Sequence, residues 1–372
     1  MGTTGLTAQA LGAQDNREIA GHLLRALLVA ALGGVLLVAL QWPIREAALW
    51  LTGGSAEVVR LAAVYFDIRI WAAPAGLVNF ALLGWFIGIG RAGLAFVIQI
   101  ALNFANMALA VVLVLGAGFA VEGVGIAALL AEWAAAVGGL WVAARTARSM
   151  GAYAPKADAI DRAKLRRSLV INTDITIRSL GNFAALTFFT AQGAAAGDVT
   201  LAANALLVSI KNIMIYLLDG FAFAVEALVG RAIGARDRPQ FWRAVRLTTV
   251  WAAVFAMLVG GIIWVAGEWL IALSAKSDAV RGAAGAFLLW AALSPILGVW
   301  CFQLDGIFIG ATRTRDMRNG AIASTGWFVL SAWLLTDAHG NDGLWLAFIG
   351  FVVARAAALG VRYPALRRAV GT

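Results

Sequence analysis

The sequence predicts an all-α polytopic membrane protein built from two pseudo-symmetric helical bundles. Three observations support this prediction: the apolar composition, the length of the uncharged runs and an internal repeat. Hydrophobic residues make up 62% of the 372 residues and charged residues only 13%, a balance that does not fit a soluble surface. Uncharged stretches such as 92–121 and 247–267 reach the roughly 20 residues that a helix needs to cross a bilayer.

The repeat is clearest in two octapeptides. Gly84–Arg91 reads GWFIGIGR, and Gly306–Arg313, which begins 222 residues later, reads GIFIGATR. Other landmarks recur at nearly the same offset: Gly12 to Asp15 with Gly234 to Asp237, Glu46 with Glu268, Arg60 with Arg281, and Pro74 with Pro295. Internal duplication in a very apolar chain is typical of transporter folds. The chain therefore reads as two homologous halves.

The hydrophobic pattern predicts ten complete helices and one remnant. Residues 1–12 are expected to be the last turns of a helix. Full spans follow at about residues 21–43, 67–90, 92–118, 122–145, 167–191, 199–231, 242–267, 282–311, 316–336 and 343–362. Residues 44–66 carry charges among leucines and alanines, which indicates an interfacial loop with a short amphipathic helix.

The repeat is incomplete at its front. Residues 168–222 of the second half have no counterpart in the first, because an offset of 222 residues would place them before Met1. A complete version would have six helices in each half, so we expect one helix and part of another to be absent here. Either the start site is internal or truncated, or the gene has lost its first helix.

Charge predicts the topology and the domain limits. The loop at 145–167 has seven basic residues against two acidic ones, whereas the loops of the other parity are mainly acidic. The positive-inside rule therefore places the basic loops and the C-terminus in the cytoplasm. We expect an N-terminal lobe at 1–145, a basic cytoplasmic linker at 146–166 and a C-terminal lobe at 167–372. The net charge of +9 is read as this topology signal, and no nucleic-acid partner is expected.

Four stretches carry a resemblance to a known family. They are MGTTGLTAQA at 1–10, NTDITIRS at 172–179, LDGFAFAVEA at 218–227 and LDGIFIGATR at 304–313. With them the chain resembles the multidrug and toxic compound extrusion (MATE) family, most closely its DinF-like branch, over essentially its whole length. The resemblance implies cation-coupled antiport of drugs or metabolites across the bacterial inner membrane. It also implies a central cavity between the lobes that opens alternately to each side.

The chain departs from this family in the N-terminal lobe. The family's first helix, which in proton-coupled members supplies an aspartate to that lobe, has no counterpart here. A second carboxylate normally follows an asparagine of the fifth helix by four residues, and here Asn106 is followed by Ala110. Proton coupling in the N-terminal lobe is therefore not carried over.

Ionisable residues inside the later spans are the first candidates for function. A charge at the middle of a bilayer costs about 3 kcal/mol on insertion scales, so such residues are functional candidates by default. The candidates for transport or ion coupling are Asp174, Arg178, Asp219, Glu226 and Asp305. Two structural alternatives stay open: a pair between Asp174 and Arg178 within one helix, and an interhelical salt-bridge network that stabilises the lobe.

A second group of residues is expected either to line a cavity or to pack helices together. It comprises Lys211, Asn79, Asn103, Asn106, Pro74 and Pro295. Amides in spans hydrogen-bond between helices or line a cavity, and prolines kink a helix or serve packing alone. The G-x-x-x-G spacings within the two octapeptides favour close helix packing. Glu132, the only ionisable residue inside its span, is left open in the same way.

The catalytic alternatives are poorly supported. The two histidines, His22 and His339, lie far apart in the sequence, and no metal-ligand spacing or nucleotide-binding loop is present. We therefore predict no enzyme and no cofactor, with H⁺ or Na⁺ as the coupling ion. The predicted partners are the bilayer and a small cationic amphiphilic substrate, and the expected state is a monomer. The alternatives are a transport-inactive relic and a flippase for lipids or metabolites.

Overall fold

The computed structural model describes residues 2–52, 55–153 and 160–370. Within these ranges all regular secondary structure is helical, so the predicted fold class is confirmed. The chain divides into two compact units, Thr3–Leu169 and Val170–Thr372. The predicted linker at 146–166 includes residues 154–159, which lie outside the described residues.

The first unit contains seven α-helices in its described part, and two of them begin with side-chain caps. Its elements are α1 (Gly2–Gly12), α2 (Asn16–Ala39), α3 (Gln41–Thr52), α4 (Ala56–Arg69), a 3-10 turn (Ile70–Ala72), α5 (Ala73–Gly88), α6 (Ala92–Val111), a π-helical turn (Val112–Gly116) and α7 (Val121–Ser149). The carboxylate of Asp15 accepts the backbone N–H of Glu18 at 2.9 Å, and the Ser55 hydroxyl accepts that of Val58 at 3.4 Å. These caps satisfy amide groups that the first turn of a helix leaves without a partner.

The second unit consists of longer helices. They are α8 (Arg162–Ala195), which begins in the first unit, α9 (Asp198–Gly234), α10 (Arg238–Ser274), α11 (Asp278–Ala286), α12 (Leu288–Gly310) and α13 (Thr314–Ala369). The backbone of α13 breaks at Gly340, with φ 56° and ψ −135°. A residue without Cβ adopts this conformation with least strain. The break lies between the predicted spans 316–336 and 343–362.

Seven of the described helical segments are long and apolar enough to cross a membrane, or eight when α9, bent by 42°, counts as one span. The sequence predicted ten spans. The difference arises because α13 contains two of the predicted spans and because α8 is too polar for this criterion. Large apolar side chains such as Leu115 and Val265 are exposed, which suits contact with lipid chains.

The segment at 44–66 differs from its prediction. Instead of one loop with a short helix, α3 and α4 occupy it, and residues 53–54 between them lie outside the described residues. The apolar segment that begins with α4 continues to Gly88 as a single candidate span. Among the charges that suggested an interfacial loop, Arg60 pairs with Glu57, three residues earlier, at 2.7 Å.

The internal repeat is also present in the backbone. Gln14 and Arg236, which are 222 residues apart, both have left-handed φ angles of 57° and 53°. Gly90 and Thr312 show the same correspondence, with φ angles of 77° and 54°. Non-glycine residues rarely adopt this region. The two helix ends of the repeat therefore share their geometry as well as their sequence.

The glycines of the repeat bring helices into close contact. A Cβ added at Gly88 would lie 2.8 Å from the carbonyl oxygen of Thr4, and one at Gly310 would lie 2.5 Å from that of Glu226. Thr4 and Glu226 are again 222 residues apart. The predicted packing role of the G-x-x-x-G spacings is therefore present in each unit by itself, and only glycine fits at these crossings.

Candidate functional site

Asp305 is the centre of an ion cluster in the second unit. Its Oδ2 atom accepts a hydrogen bond from Arg178 at 2.9 Å and another from Arg355. Arg355 donates through its other terminal nitrogen to Asn182 at 2.6 Å. The Oδ1 atom of Asp305 is buried and has no hydrogen-bond partner in the described part of the chain. One carboxylate thus holds two guanidinium groups, and α8, α12 and α13 meet at this point.

Asp174 is tied to the beginning of α13. Its Oδ2 atom accepts a hydrogen bond from the Thr314 hydroxyl at 2.8 Å, and its Oδ1 atom accepts one from Arg318 at 2.9 Å. Only 1% of the Asp174 surface is exposed. The contacts of Asp174 and of Arg178 thus connect different helices. They fit the interhelical network that the sequence analysis kept as an alternative.

Asp219 has different surroundings from these paired acids. It is half-buried on α9, and it forms no salt bridge or hydrogen bond within the described ranges. Arg178 is the charged group that acts on it, at longer range than an ion pair. Glu226 follows two helical turns later and is buried where Gly310 of α12 crosses α9. Of the predicted acids, Asp219 therefore has the least compensated charge.

Lys211 borders a cavity of about 190 Å³ inside the second unit. The cavity lies among α8, α9, α12 and the part of α13 that follows Gly340. Its lining includes Asn182, Leu186, Lys211, Asn212, Ser294, Cys301, Phe302, Phe348 and Arg355. The ammonium group of Lys211 lies 4.4 Å from the centre of the Phe348 ring, a cation–π contact. The structure therefore places Lys211 and Arg355, from different helices, at one cavity.

The first unit contains an ionisable site that the sequence analysis left open. Asn79 donates to the Glu132 carboxylate at 2.8 Å and to the Glu132 carbonyl oxygen at 3.0 Å. Arg69 donates to the same carboxylate at 3.3 Å. Both Arg69 and Glu132 border a groove of about 350 Å³. Opposite charges inside two predicted spans, 67–90 and 122–145, were the signal that could have found this pair.

The remaining candidates do not join these clusters. Asn103 is exposed and Asn106 half-buried on α6. Pro74 is the second residue of α5, just after the 3-10 turn that separates α4 from α5 within one candidate span. Pro295 lies inside α12 and is buried. In the described ranges, no group of three His, Cys, Asp or Glu side chains could hold a metal ion.

Comparison with known proteins connects these features to a family. A family model described as MatE matches residues 1–112 and 179–334. The chain belongs to the MatE family. The resemblance stated from the sequence motifs is confirmed, and the DinF-like branch agrees with a 37% identity over 359 residues to DNA damage-inducible protein F of Escherichia coli (strain K12). That match covers 96% of this chain and 78% of the relative.

Other MatE relatives and solved structures agree with this assignment. A probable multidrug resistance protein NorM of Caulobacter vibrioides (strain ATCC 19089 / CIP 103742 / CB 15) is 28% identical over 300 residues, which cover 75% of this chain and 60% of that protein. A crystal structure of MATE in the bent conformation matches with a TM-score of 0.87 at 20% identity, covering 100% of this chain and 84% of that one. An outward-facing multidrug resistance MATE family transporter matches with a TM-score of 0.87 at 19% identity, covering 99% and 82%. These structures support the fold.

The family assignment determines the broad class of activity. Members of the MatE family are multi-pass membrane transporters that handle small molecules. The chain is therefore a membrane transporter and not an enzyme. Its buried charges in the second unit belong to a protein that moves solutes through a bilayer, where each such charge requires a structural or a transport role.

Proposed function

We propose that the chain is a secondary active exporter, in which inward flow of H⁺ or Na⁺ drives outward movement of a small organic molecule. The observation that carries this proposal is Asp219, a half-buried carboxylate in a long apolar helix without an ion pair in the described part of the chain. A carboxylate in this setting gains a favourable interaction when a cation binds, and loses it when the cation leaves. Coupling of ion flow to export requires a group that binds and releases the cation in this way.

The paired acids have a different role in this proposal. Asp305 accepts hydrogen bonds from both Arg178 and Arg355, which join α8 and α13 to α12 through charge-assisted contacts. Asp174 likewise accepts hydrogen bonds from an arginine and a hydroxyl group at the beginning of α13. We therefore assign these two acids to holding the helices together. Glu226, on the same face of α9 as Asp219, is the second candidate for coupling.

The substrate is proposed to be a small amphiphile. The acids in the second half of the sequence favour a cationic substrate. Since Asp174 and Asp305 are paired with arginines, that preference depends on Asp219 and Glu226. The words "multidrug resistance" in the name of the Caulobacter vibrioides relative support a drug-like substrate. We further propose a monomer in the bacterial inner membrane, a cytoplasmic C-terminus and alternating access between two bundles.

Transport in proteoliposomes tests this proposal. Purified protein is reconstituted into vesicles loaded with ethidium, and external H⁺ or Na⁺ is raised in separate experiments. We expect ethidium efflux faster than from protein-free vesicles under one of the two gradients, and loss of that efflux when an ionophore collapses the gradient. Efflux that is the same with and without either gradient would contradict the coupled mechanism. Efflux no faster than from protein-free vesicles would favour the inactive alternative.

A further inference from the structure

The cavity of the second unit contains two buried cationic side chains. Lys211 and Arg355 are each only 5% exposed, and both border the cavity. Lys211 has no carboxylate within salt-bridge distance in the described ranges, and its contact there is the Phe348 ring. A buried ammonium group without a counter-ion is unfavourable. A protein retains such a group most readily where a charged ligand completes the site.

Arg355 adds positive charge at the same cavity. Its two terminal nitrogens bind Asn182 and Asp305, while its Nε atom is buried without a partner in the part of the chain that the structure describes. Asp305 also accepts a hydrogen bond from Arg178, so Arg355 shares its counter-ion with a second guanidinium group. Arg355 therefore adds a buried cationic group to the cavity, in addition to Lys211.

The spacing and the lining define the shape of a ligand. Phe348, under the ammonium of Lys211, precedes Arg355 by seven residues on α13, which is two helical turns or about 10 Å. The surface between and around them is mainly apolar and includes Leu186, Phe302 and Val352. Pockets of this composition hold an apolar body and orient it through a few polar groups.

We propose that this cavity binds an organic anion, namely a carboxylate or phosphoryl group attached to an apolar body. The anionic group binds at Lys211, with Arg355 increasing the positive potential, and the apolar body lies against Phe302 and Val352. The site goes beyond the proposed ion coupling and does not depend on it, because the coupling candidate Asp219 does not border the cavity. Binding of an organic cation at this cavity would be disfavoured.

A matched pair of probes tests the sign of the charge. The full-length protein in nanodiscs of zwitterionic phosphatidylcholine is titrated with 1-naphthoate and, separately, with 1-naphthylmethylammonium, which have the same ring and opposite charges. Fluorescence anisotropy of the naphthalene ring reports binding. We expect naphthoate to bind at least about tenfold more tightly, as follows from the uncompensated charge of Lys211 in a low-dielectric site. Equal binding of the two probes, or no binding of naphthoate, would overturn the proposal.

Variants connect the binding to this cavity. Lys211→Met keeps an unbranched side chain of similar size and removes its charge, so we expect naphthoate affinity to fall about tenfold. Lys276→Met changes an exposed lysine in the loop between α10 and α11 and serves as the matched control, with no change expected. Gly298→Leu fills part of the cavity without changing charge, since a Cβ there has only ordinary contacts at 3.5 Å with Phe302 and Val352. Naphthoate binding that survives both cavity substitutions would contradict the assignment.

The origin of the anion is tested by changing the lipid. When phosphatidylglycerol is included in the nanodiscs, a lipid headgroup that occupies the cavity should displace naphthoate in wild-type protein. Unchanged naphthoate affinity identifies a soluble organic anion as the ligand. Because these are equilibrium measurements without any ion gradient, their failure is distinguishable from a failure of coupled efflux.

Discussion

Arg178 donates a hydrogen bond of 2.9 Å to Asp305, a residue 127 positions later in the chain. The contact joins α8 to α12 in the interior of the second unit, and Arg355 adds α13 to the same carboxylate. Two residues that the sequence offered as coupling candidates are therefore each other's partners. This pairing transfers the expected role in ion exchange to Asp219.

Removal of the Asp305 charge should destabilise the second unit. Asp305→Asn leaves two buried guanidinium groups without their counter-ion, a change that typically costs about 3–5 kcal/mol. Thermal unfolding of the purified protein, followed by tryptophan fluorescence, measures the effect. Asp278→Asn is the control, because Asp278 is 95% exposed in its pair with Arg281 and such pairs contribute at most about 1 kcal/mol. Equal shifts in the two variants would contradict a structural role for the cluster.

The glycine crossings should tolerate no Cβ. Gly310→Ala and Gly88→Ala each force a methyl group against a backbone carbonyl, and overpacking of this kind costs about 1–3 kcal/mol. We expect both variants to unfold at lower temperature than wild type. Gly326→Ala is the control, because a Cβ there meets nothing within 4 Å and alanine favours a helix. A loss of stability in the control as large as at the crossings would show that the close approach is not responsible.

Glycine in place of the left-handed residues of the repeat should stabilise the folded protein. Gln14 and Arg236 have φ angles of 57° and 53°, a region that disfavours side chains by about 1 kcal/mol or more. Gln14→Gly and Arg236→Gly should therefore raise the unfolding temperature. Ala235→Gly should lower the unfolding temperature. Ala235 has a right-handed φ of −77°, so glycine relieves no strain there and only increases the conformational entropy of the unfolded chain. A decrease in all three variants would contradict the strained geometry.

Asn79 should contribute more to the stability of the folded protein than the exposed Asn103 of α6. Asn79→Leu removes the amide that donates to Glu132 at 2.8 Å and leaves a partly buried carboxylate with a single donor, at a cost of about 1–3 kcal/mol. Asn103→Leu places the same side chain on an exposed position of α6 and should be nearly neutral. The unfolding temperatures of the two variants provide the comparison. Similar values would place Asn79 among the amides without a structural role.

The helices and the repeat were predictable because both depend on local sequence. Uncharged length identifies a span, and the octapeptides at 84–91 and 306–313 keep their glycines where helices cross. The partners of the charged residues were not predictable. Whether Asp174 meets Arg178 four residues later or Arg318 on another helix depends on how α8 is rotated in the bundle, which spacing along one helix does not determine.

The cavity illustrates the same limit. Lys211 is a candidate because it is charged within a span, but its neighbour in the structure is Phe348. Aromatic residues are common in packed helices, so nothing in the sequence distinguishes Phe348 as the partner of Lys211. The sequence marks Glu132 as an ionisable residue within a span, but it does not identify its partner Arg69, which lies near the beginning of another predicted span. Sequence indicates which residues are unusual in lipid, whereas only packing shows which of them are compensated.

The most direct test of the central claim compares ion-driven ethidium efflux in proteoliposomes of wild type and Asp219→Asn, with membrane insertion and unfolding temperature measured in parallel. If Asp219 exchanges the coupling ion, the variant should insert and fold like wild type and lose efflux driven by the H⁺ or Na⁺ gradient. Gradient-driven efflux at the wild-type rate would remove Asp219 from the mechanism and contradict the account.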